Sequence, residues 1–443
     1  MENEKDSFLR GNSMAKQTDI QLRSALFYQV FPRQHSATQN FTGVINDLDR
    51  IKALGVDILY FLPIHPIGKK ARKGTIGSPY AILDYYAIHE SYGTLEDFKN
   101  LVKITHQKGM KVMIDIVFNH TSRDSVLVKE KPEWFYKNEK GEFANRIGDW
   151  SDITDLDFSL RPVWDYLIDV LKYWAEIVDG FRCDVAPLLP IDFWIEARSK
   201  VAKINPNMIW LTESVHYSFI KYLRDLGYDC SSDSQMYDAF DICYDYDIYD
   251  HMNDYLKDGK KLSIWLEEIY RQEVVYPKNY IKLRSFENHD QPRLRSKVRD
   301  HDHFIQMMAL MFFIKGPAFI YAGQEHEIKH YPNLFENDII KWQKNKSIEP
   351  LIQQLAALKK NQIFVHGNYD MHHSEDVAVL SYTLKNQFML GIFNLENAQD
   401  VFVPLVDGKY TNILNNEVIS VTHGKIELGH YPVIIDTKKE HKK

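Results

Sequence analysis

Short apolar runs recur along the first 321 residues, most of them closed by a polar cluster. Ala25 to Phe31, Val56 to Leu62, Lys111 to Val117, Val178 to Asp184, Asn207 to Thr212, Ile281 to Phe286 and Pro317 to Tyr321 read as strands, with Tyr228 to Asp233 as the sixth in order. Val56 to Leu62 is apolar almost throughout, as expected of a strand covered by helices on both faces. Helical patterns lie between the runs: Ile45, Leu48 and Ile51 share a face before Gly55, and Thr94 with Asp97 forms a capping box ahead of a helix that stops at Gly109. Strands alternating with helices predict an α/β fold, a TIM-type (β/α)8 barrel, whose functional residues lie where the strands end.

The polar cluster that matters most is Gly180-Phe181-Arg182-Cys183-Asp184. On a strand, Arg182 and Asp184 point to one face. A neighbouring guanidinium favours the ionised aspartate, which suits a nucleophile. Alone, an Arg-x-Asp pair reads as a structural ion pair at a strand end. Three further clusters change that reading: Asp115-Ile-Val-Phe-Asn119-His120, Glu213 after Ile209-Trp-Leu-Thr, and Phe286-Glu-Asn288-His289-Asp290. Asp115 interrupts a buried strand and needs a donor, for which Arg182 on the neighbouring strand is the natural choice.

With these four clusters in this order, from Tyr28 to the C-terminal strands, the chain resembles the α-amylase superfamily of glycoside hydrolases. The resemblance implies hydrolysis of α-1,4-glucosidic bonds in maltodextrins with retention of configuration. Asp184 is then the nucleophile and Glu213 the acid and later the base; Asp290, with His289 beside it, grips the sugar's 2- and 3-hydroxyls. Glu213 follows an apolar run and faces other negative charges, so it is expected to keep the proton while Arg182 keeps Asp184 ionised. By the same resemblance Tyr80 forms the floor under the cleaved sugar, His120 bonds its hydroxymethyl group, and Asn119 ligates a structural calcium; catalysis itself implies no cofactor. Many endo-acting relatives carry Lys-His three and four residues after the nucleophile, where this chain has Pro187 and Leu188, and His216 is expected to fill part of that gap. An α-glucosidase, oligo-1,6-glucosidase or glucosyltransferase of the same superfamily is the alternative. A sugar-binding protein without catalysis would be expected to have lost one of the carboxylates.

The implied organisation is an extension over residues 1–20, a barrel over 21–118 and 161–360, a short insertion after the third strand over 119–160, and an antiparallel β-sandwich over 361–443. Trp134, Phe135 and Trp150 either line a sugar cleft or form the insertion's own small core. Met236 to Tyr255 reads as a solvated helical region packed by its tyrosines. The alternating Val377 to Thr383 and Phe388 to Phe393, with turns at Asp407-Gly408 and Asn415-Asn416, signal the C-terminal sheet.

A net charge of −7 argues against a nucleic-acid partner and leaves neutral substrates open. The three cysteines, Cys183, Cys230 and Cys243, fit neither a disulfide framework nor a metal-ligand spacing. The polar N-terminus lacks the apolar stretch of a secretory signal, and no run is long enough to span a membrane. The expectation is a cytoplasmic protein without a membrane partner, its first twenty residues disordered, Met14 an alternative start and the last six residues a solvated tail.

Overall fold

The computed structural model describes residues 17–147, 150–343, 346–372 and 374–438. The fold is a parallel (β/α)8 barrel sheet followed by an antiparallel C-terminal domain, with eight strands in the barrel sheet. The chain divides into two compact units.

The first unit is built on Phe27–Tyr244, with Tyr331–Lys341. Its strands β1 (Leu26–Val30), β2 (Ile58–Phe61), β3 (Lys111–Ile116), β6 (Gly180–Cys183), β7 (Ile209–Thr212) and β8 (Ile242–Tyr244) run parallel in that order. Two shorter strands, β4 (His120–Ser122) and β5 (Ile153–Asp155), pair antiparallel inside the insertion. Every residue of β1, β2, β6, β7 and β8 is buried, which is why these strands read as largely apolar rather than alternating. Gly180 opens β6 because nothing larger fits: an added Cβ would lie 2.8 Å from Met113 Cε and 3.1 Å from the Ile209 carbonyl oxygen.

Helix α1 (Leu95–Gln107) begins with the capping box expected at Thr94 and Asp97. Helix α2 (Arg161–Ala175) buries Val163, Leu167, Ile168, Leu171 and Trp174 along one stripe, and Trp174 Nε1 donates to the Tyr85 carbonyl at 2.8 Å. Helices α3 (Ile191–Val201) and α4 (Tyr217–Asp225) follow β6 and β7. In the insertion, Trp150 packs on the small cluster of Ile67, Ala81 and Ile153 and tilts against His120 with ring centroids 5.6 Å apart.

The second unit holds Asp245–His330 and the chain from Trp342 onward. It contains β9 (Lys282–Leu283), β10 (Ala318–Tyr321) and helices α5 (Tyr246–Asp258), α6 (Leu262–Val275), α7 (His301–Phe313) and α8 (Glu349–Lys359). From His303 to Phe313 every residue of α7 is buried, the pattern of a helix enclosed on all sides. The C-terminal part is a four-stranded antiparallel sheet, β11 (Asn368–His372), β12 (Val377–Leu384), β13 (Gln387–Asn394) and β18 (Val433–Lys438). It shares one core, including Val379, Leu390, Ile392, Val421 and Ile426, with the pairs β14 (Asp400–Phe402) and β17 (Lys425–Glu427), and β15 (Gly408–Thr411) and β16 (Val418–Val421). Phe313 of α7 packs on this sheet where β13 carries Gly391, whose added Cβ would lie 2.9 Å from the ring.

Four expectations change. The sixth barrel strand is β8, not Tyr228 to Asp233: Leu211 and Thr212 pair with Ile242 and Cys243, and among the described residues no strand pairs with Tyr228 to Asp233. Met236 to Tyr255 is therefore strand and helix rather than one solvated helical region, and its tyrosines Tyr237, Tyr244, Tyr246, Tyr249 and Tyr255 are buried. Ile45, Leu48 and Ile51 fall on two short helices, Phe41–Ile45 and Leu48–Ala53. Near the N-terminus Asp19 caps a 3-10 helix over Ile20–Ser24, so order begins before residue 20; the extension before residue 17, Met14 and the tail beyond residue 438 lie outside the described residues. All three cysteines are buried and outside any disulfide.

Candidate active site

Strand register assembles the site around Arg182. Asp115 on β3 stands opposite Arg182 on β6, and Arg182 opposite Leu211 on β7. Arg182 Nη1 donates to Asp115 Oδ1 at 2.8 Å and Oδ2 at 3.0 Å, and to Asp184 Oδ1 at 2.8 Å. Its Nη2 lies 2.9 Å from Glu213 Oε2 as an ion pair. Burial works against the guanidinium's charge, but Asp115 and Glu213 outweigh it and hold its pKa well above the usual arginine value. Tyr80 and Tyr244 place their rings 5.7 and 5.3 Å from the guanidinium carbon. The hydroxyls of Tyr60 and Tyr80 both donate to Asp115 Oδ2, at 2.7 and 3.0 Å.

Arg182 therefore serves Glu213 in addition to Asp115 and Asp184. Glu213 meets the same cation, because the end of β7 lies beside the end of β6: Glu213 N donates to the Cys183 carbonyl at 3.0 Å. The main chain contributes as well. Val185, directly after Asp184, sits in the left-handed region at φ 35° and ψ 38°, and its N–H donates to Glu213 Oε2 at 2.8 Å. Asp184 and Glu213 remain slightly open to solvent at 7% and 8%, whereas Asp115 and Arg182 are at 0%. Pro187 and Leu188 lie in the buried 3-10 turn Ala186–Leu188, and the Pro187 carbonyl accepts from Ser231 N at 2.8 Å. His216 is half-buried at the N-cap of α4.

His120 and Asn119 follow β3 into the β4–β5 pair. His120 is buried, and burial lowers its pKa against the opposing pull of Asp155 and Asp152. Asn119 Nδ2 stands 3.2 Å from His120 Nδ1 and donates to Asp155 Oδ1 at 3.3 Å.

Asp290 and His289 belong to the second unit, where His289 Nε2 lies 2.9 Å from Asp290 Oδ2. Their loop is pinned from beneath. Asp290 N donates to Asn288 Oδ1 at 2.8 Å, Asn288 Nδ2 to the Tyr246 hydroxyl at 2.8 Å, and Arg293 Nη1 to Glu287 Oε1 at 2.7 Å. Lys297 Nζ donates to the Phe286 carbonyl at 3.1 Å, and burial pulls its pKa down to about 7. His289 and Glu287 are buried, while the Asp290 side chain is 42% exposed.

The model for the alpha amylase catalytic domain matches residues 12–133 and 127–362, and that for the bacterial alpha amylase C-terminal domain matches 369–435. The chain belongs to the α-amylase family. The crystal structure of an alpha-amylase from Lactobacillus plantarum is 42% identical, covering 95% of this chain and 100% of its own, with a TM-score of 0.92. A noncanonic maltogenic alpha-amylase from Thermotoga neapolitana is 32% identical over 95% of this chain and 100% of its own, with a TM-score of 0.85. The intracellular maltogenic amylase of Bacillus subtilis is 25% identical, covering 93% of this chain and 75% of its own.

Within this α-amylase fold, sequence reasoning missed Tyr60, Tyr244 and Arg146. Tyr60 and Tyr244 end or interrupt apolar runs, and a hydroxyl in such a run is the one signal that could have marked them. Arg146 bears on calcium. Its Nη2 donates to Asn119 Oδ1 at 3.0 Å and its Nε to Asp155 Oδ2 at 2.9 Å, so a guanidinium stands where the Asn119 oxygen would meet a metal. Among the described residues no three His, Cys, Asp or Glu side chains come together as a ligand set. The residues at Asn119 do not fit a divalent cation.

Proposed function

We propose that this chain is a retaining hydrolase of α-1,4-glucosidic bonds acting on maltodextrins and related oligosaccharides. The observation that carries the reading is the shared guanidinium: Arg182 reaches Asp184 at 2.8 Å and Glu213 at 2.9 Å from adjacent strand ends. One guanidinium spanning both carboxyl groups favours the close spacing, about 5 Å, of a nucleophile and an acid over the wider gap that admits a water between them.

Asp184 attacks the anomeric carbon and Glu213 protonates the departing glycosidic oxygen. In the second half Glu213 accepts a proton from water, which opens the covalent glycosyl-enzyme with net retention. Asp290 and His289 grip the 2- and 3-hydroxyls, Tyr80 stacks under the ring, His120 meets the hydroxymethyl group and His216 serves the leaving-group side. Apolar Pro187 and Leu188 supply no cation there, which favours short oligosaccharides over long starch. The name of the Bacillus subtilis relative supports a cytoplasmic setting, and no helix among the described residues is long and apolar enough to cross a membrane.

A product time course on maltoheptaose and on isomaltooligosaccharides, with Asp184→Ala as control, tests the reading. Short maltooligosaccharides from maltoheptaose alone are expected, with the control inactive. Stepwise glucose release, turnover of only the 1,6-linked substrate, or substantial activity in the control would overturn it.

A further inference from the structure

The insertion hairpin contains a buried anionic corner that its own chain neutralises. Asp155, at 1% exposure, ends β5 opposite His120 on β4. Its Oδ2 accepts from both the main-chain N–H and Nε of Arg146, each at 2.9 Å, while its Oδ1 accepts from Asn119 at 3.3 Å. Arg146 Nη2 then closes the ring onto Asn119 Oδ1 at 3.0 Å. One planar guanidinium thus binds a carboxylate and an amide oxygen at once, with its side chain only 21% exposed.

We propose that Arg146 is the resident cation of this hairpin, standing in for a divalent metal and holding Asn119 and Asp155 so that His120 keeps its place. The argument is one of geometry and charge. Calcium gathers six to eight oxygens at about 2.3–2.6 Å. Here the oxygens of Asn119 and Asp155 point at nitrogen donors, and Arg146 already supplies the positive charge that a buried carboxylate requires. Removing the guanidinium leaves Asp155 buried without its cation and frees the Asn119 oxygen, so the vacated corner becomes receptive to a small cation. Arg146 is a positioning residue: it acts on sugar binding through Asn119 and His120, without touching sugar.

The test uses the full chain, wild type and Arg146→Gln, and reads melting temperature, which does not depend on the hydrolase assignment. Wild-type melting is expected to be unmoved by EDTA and by added calcium. Arg146→Gln should melt about 3–6 °C lower, and millimolar guanidinium, but not equimolar sodium chloride, should restore part of the loss. Its KM for maltoheptaose should rise about three- to tenfold with a smaller change in kcat, and Arg146→Lys, which keeps the charge but cannot span both oxygens, should fall between the two. A wild-type melting temperature that drops in EDTA and recovers with calcium overturns the proposal, as does an Arg146→Gln protein that melts like wild type. If the Gln variant does not fold, the wild-type EDTA series and the Lys variant still decide.

Discussion

The main-chain N–H of Val185 donates a 2.8 Å hydrogen bond to Glu213 Oε2 from a left-handed backbone at φ 35°. A β-branched residue in that region costs about 1–3 kcal/mol. The turn is held by its surroundings: Asp184 N donates to the Ile116 carbonyl at 2.8 Å, and Trp194 Nε1 to the Ala186 carbonyl at 3.0 Å. The strand end that bears one carboxyl group thereby fixes the carboxyl group of the next strand.

What matters at Val185 is its N–H and its dihedral angle rather than its side chain. Val185→Gly should keep kcat/KM within about threefold and leave melting nearly unchanged, because relief of strain offsets the entropy cost of glycine. Val185→Pro, which removes the donor and forbids positive φ, should lose at least about a hundredfold in kcat/KM. Equal losses in the two variants would show that the side chain, not the main chain, does the positioning.

Arg182 pairs with Asp115, Asp184 and Glu213 at once. Arg182→Leu should destabilise the protein by about 3–5 kcal/mol, the cost of breaking a buried pair from one side. Arg182→Leu with Asp115→Leu should recover part of that loss, and urea midpoints of the four proteins in the cycle measure the coupling. Additive losses would mean that the pair is not coupled.

The buried His65, with Nδ1 3.0 Å from the Ala87 carbonyl oxygen, has its pKa lowered to about 4 by burial. The unfolded chain binds a proton near pH 6.5 that the folded state refuses until about pH 4. Stability from this group is therefore present above pH 6.5 and lost as pH falls through that window. The loss is of the order of 1–3 kcal/mol. His65→Gln should show a shallower fall in melting temperature from pH 6.5 to pH 4 than wild type, and parallel curves would remove His65 as a source of acid sensitivity.

Tyr60→Phe deletes the 2.7 Å bond to Asp115 and leaves the Tyr80 hydroxyl in place. A hydrogen bond to a charged acceptor contributes about 1.5–3 kcal/mol. Chemical denaturation should report a loss in that range with KM little changed; a large rise in KM would place Tyr60 in sugar binding instead.

The barrel strands were legible where burial on both faces produced an unbroken apolar run, as in Val56 to Leu62. The sixth was misplaced because Ile242–Tyr244 is only three residues long and sits between Asp241 and Asp245, too short a run to stand out as a strand. The tyrosines nearby were read as packing residues, but the acids between them made the region look solvated, and hydroxyl groups in a sequence do not reveal which partners await them.

From sequence alone came the α/β class, the C-terminal antiparallel sheet, the capping box at Thr94 and the pairing of Asp115 with Arg182. All of these rest on residues whose local pattern or strand neighbour decides the outcome. Tertiary structure alone decided that Arg182 serves three carboxyl groups, that the Val185 main chain reaches Glu213, and that Arg146 fills the corner beside Asn119. Those contacts join residues on different strands or across a loop, where small differences in register and backbone angle determine which atoms meet, and one-dimensional spacing carries no record of either.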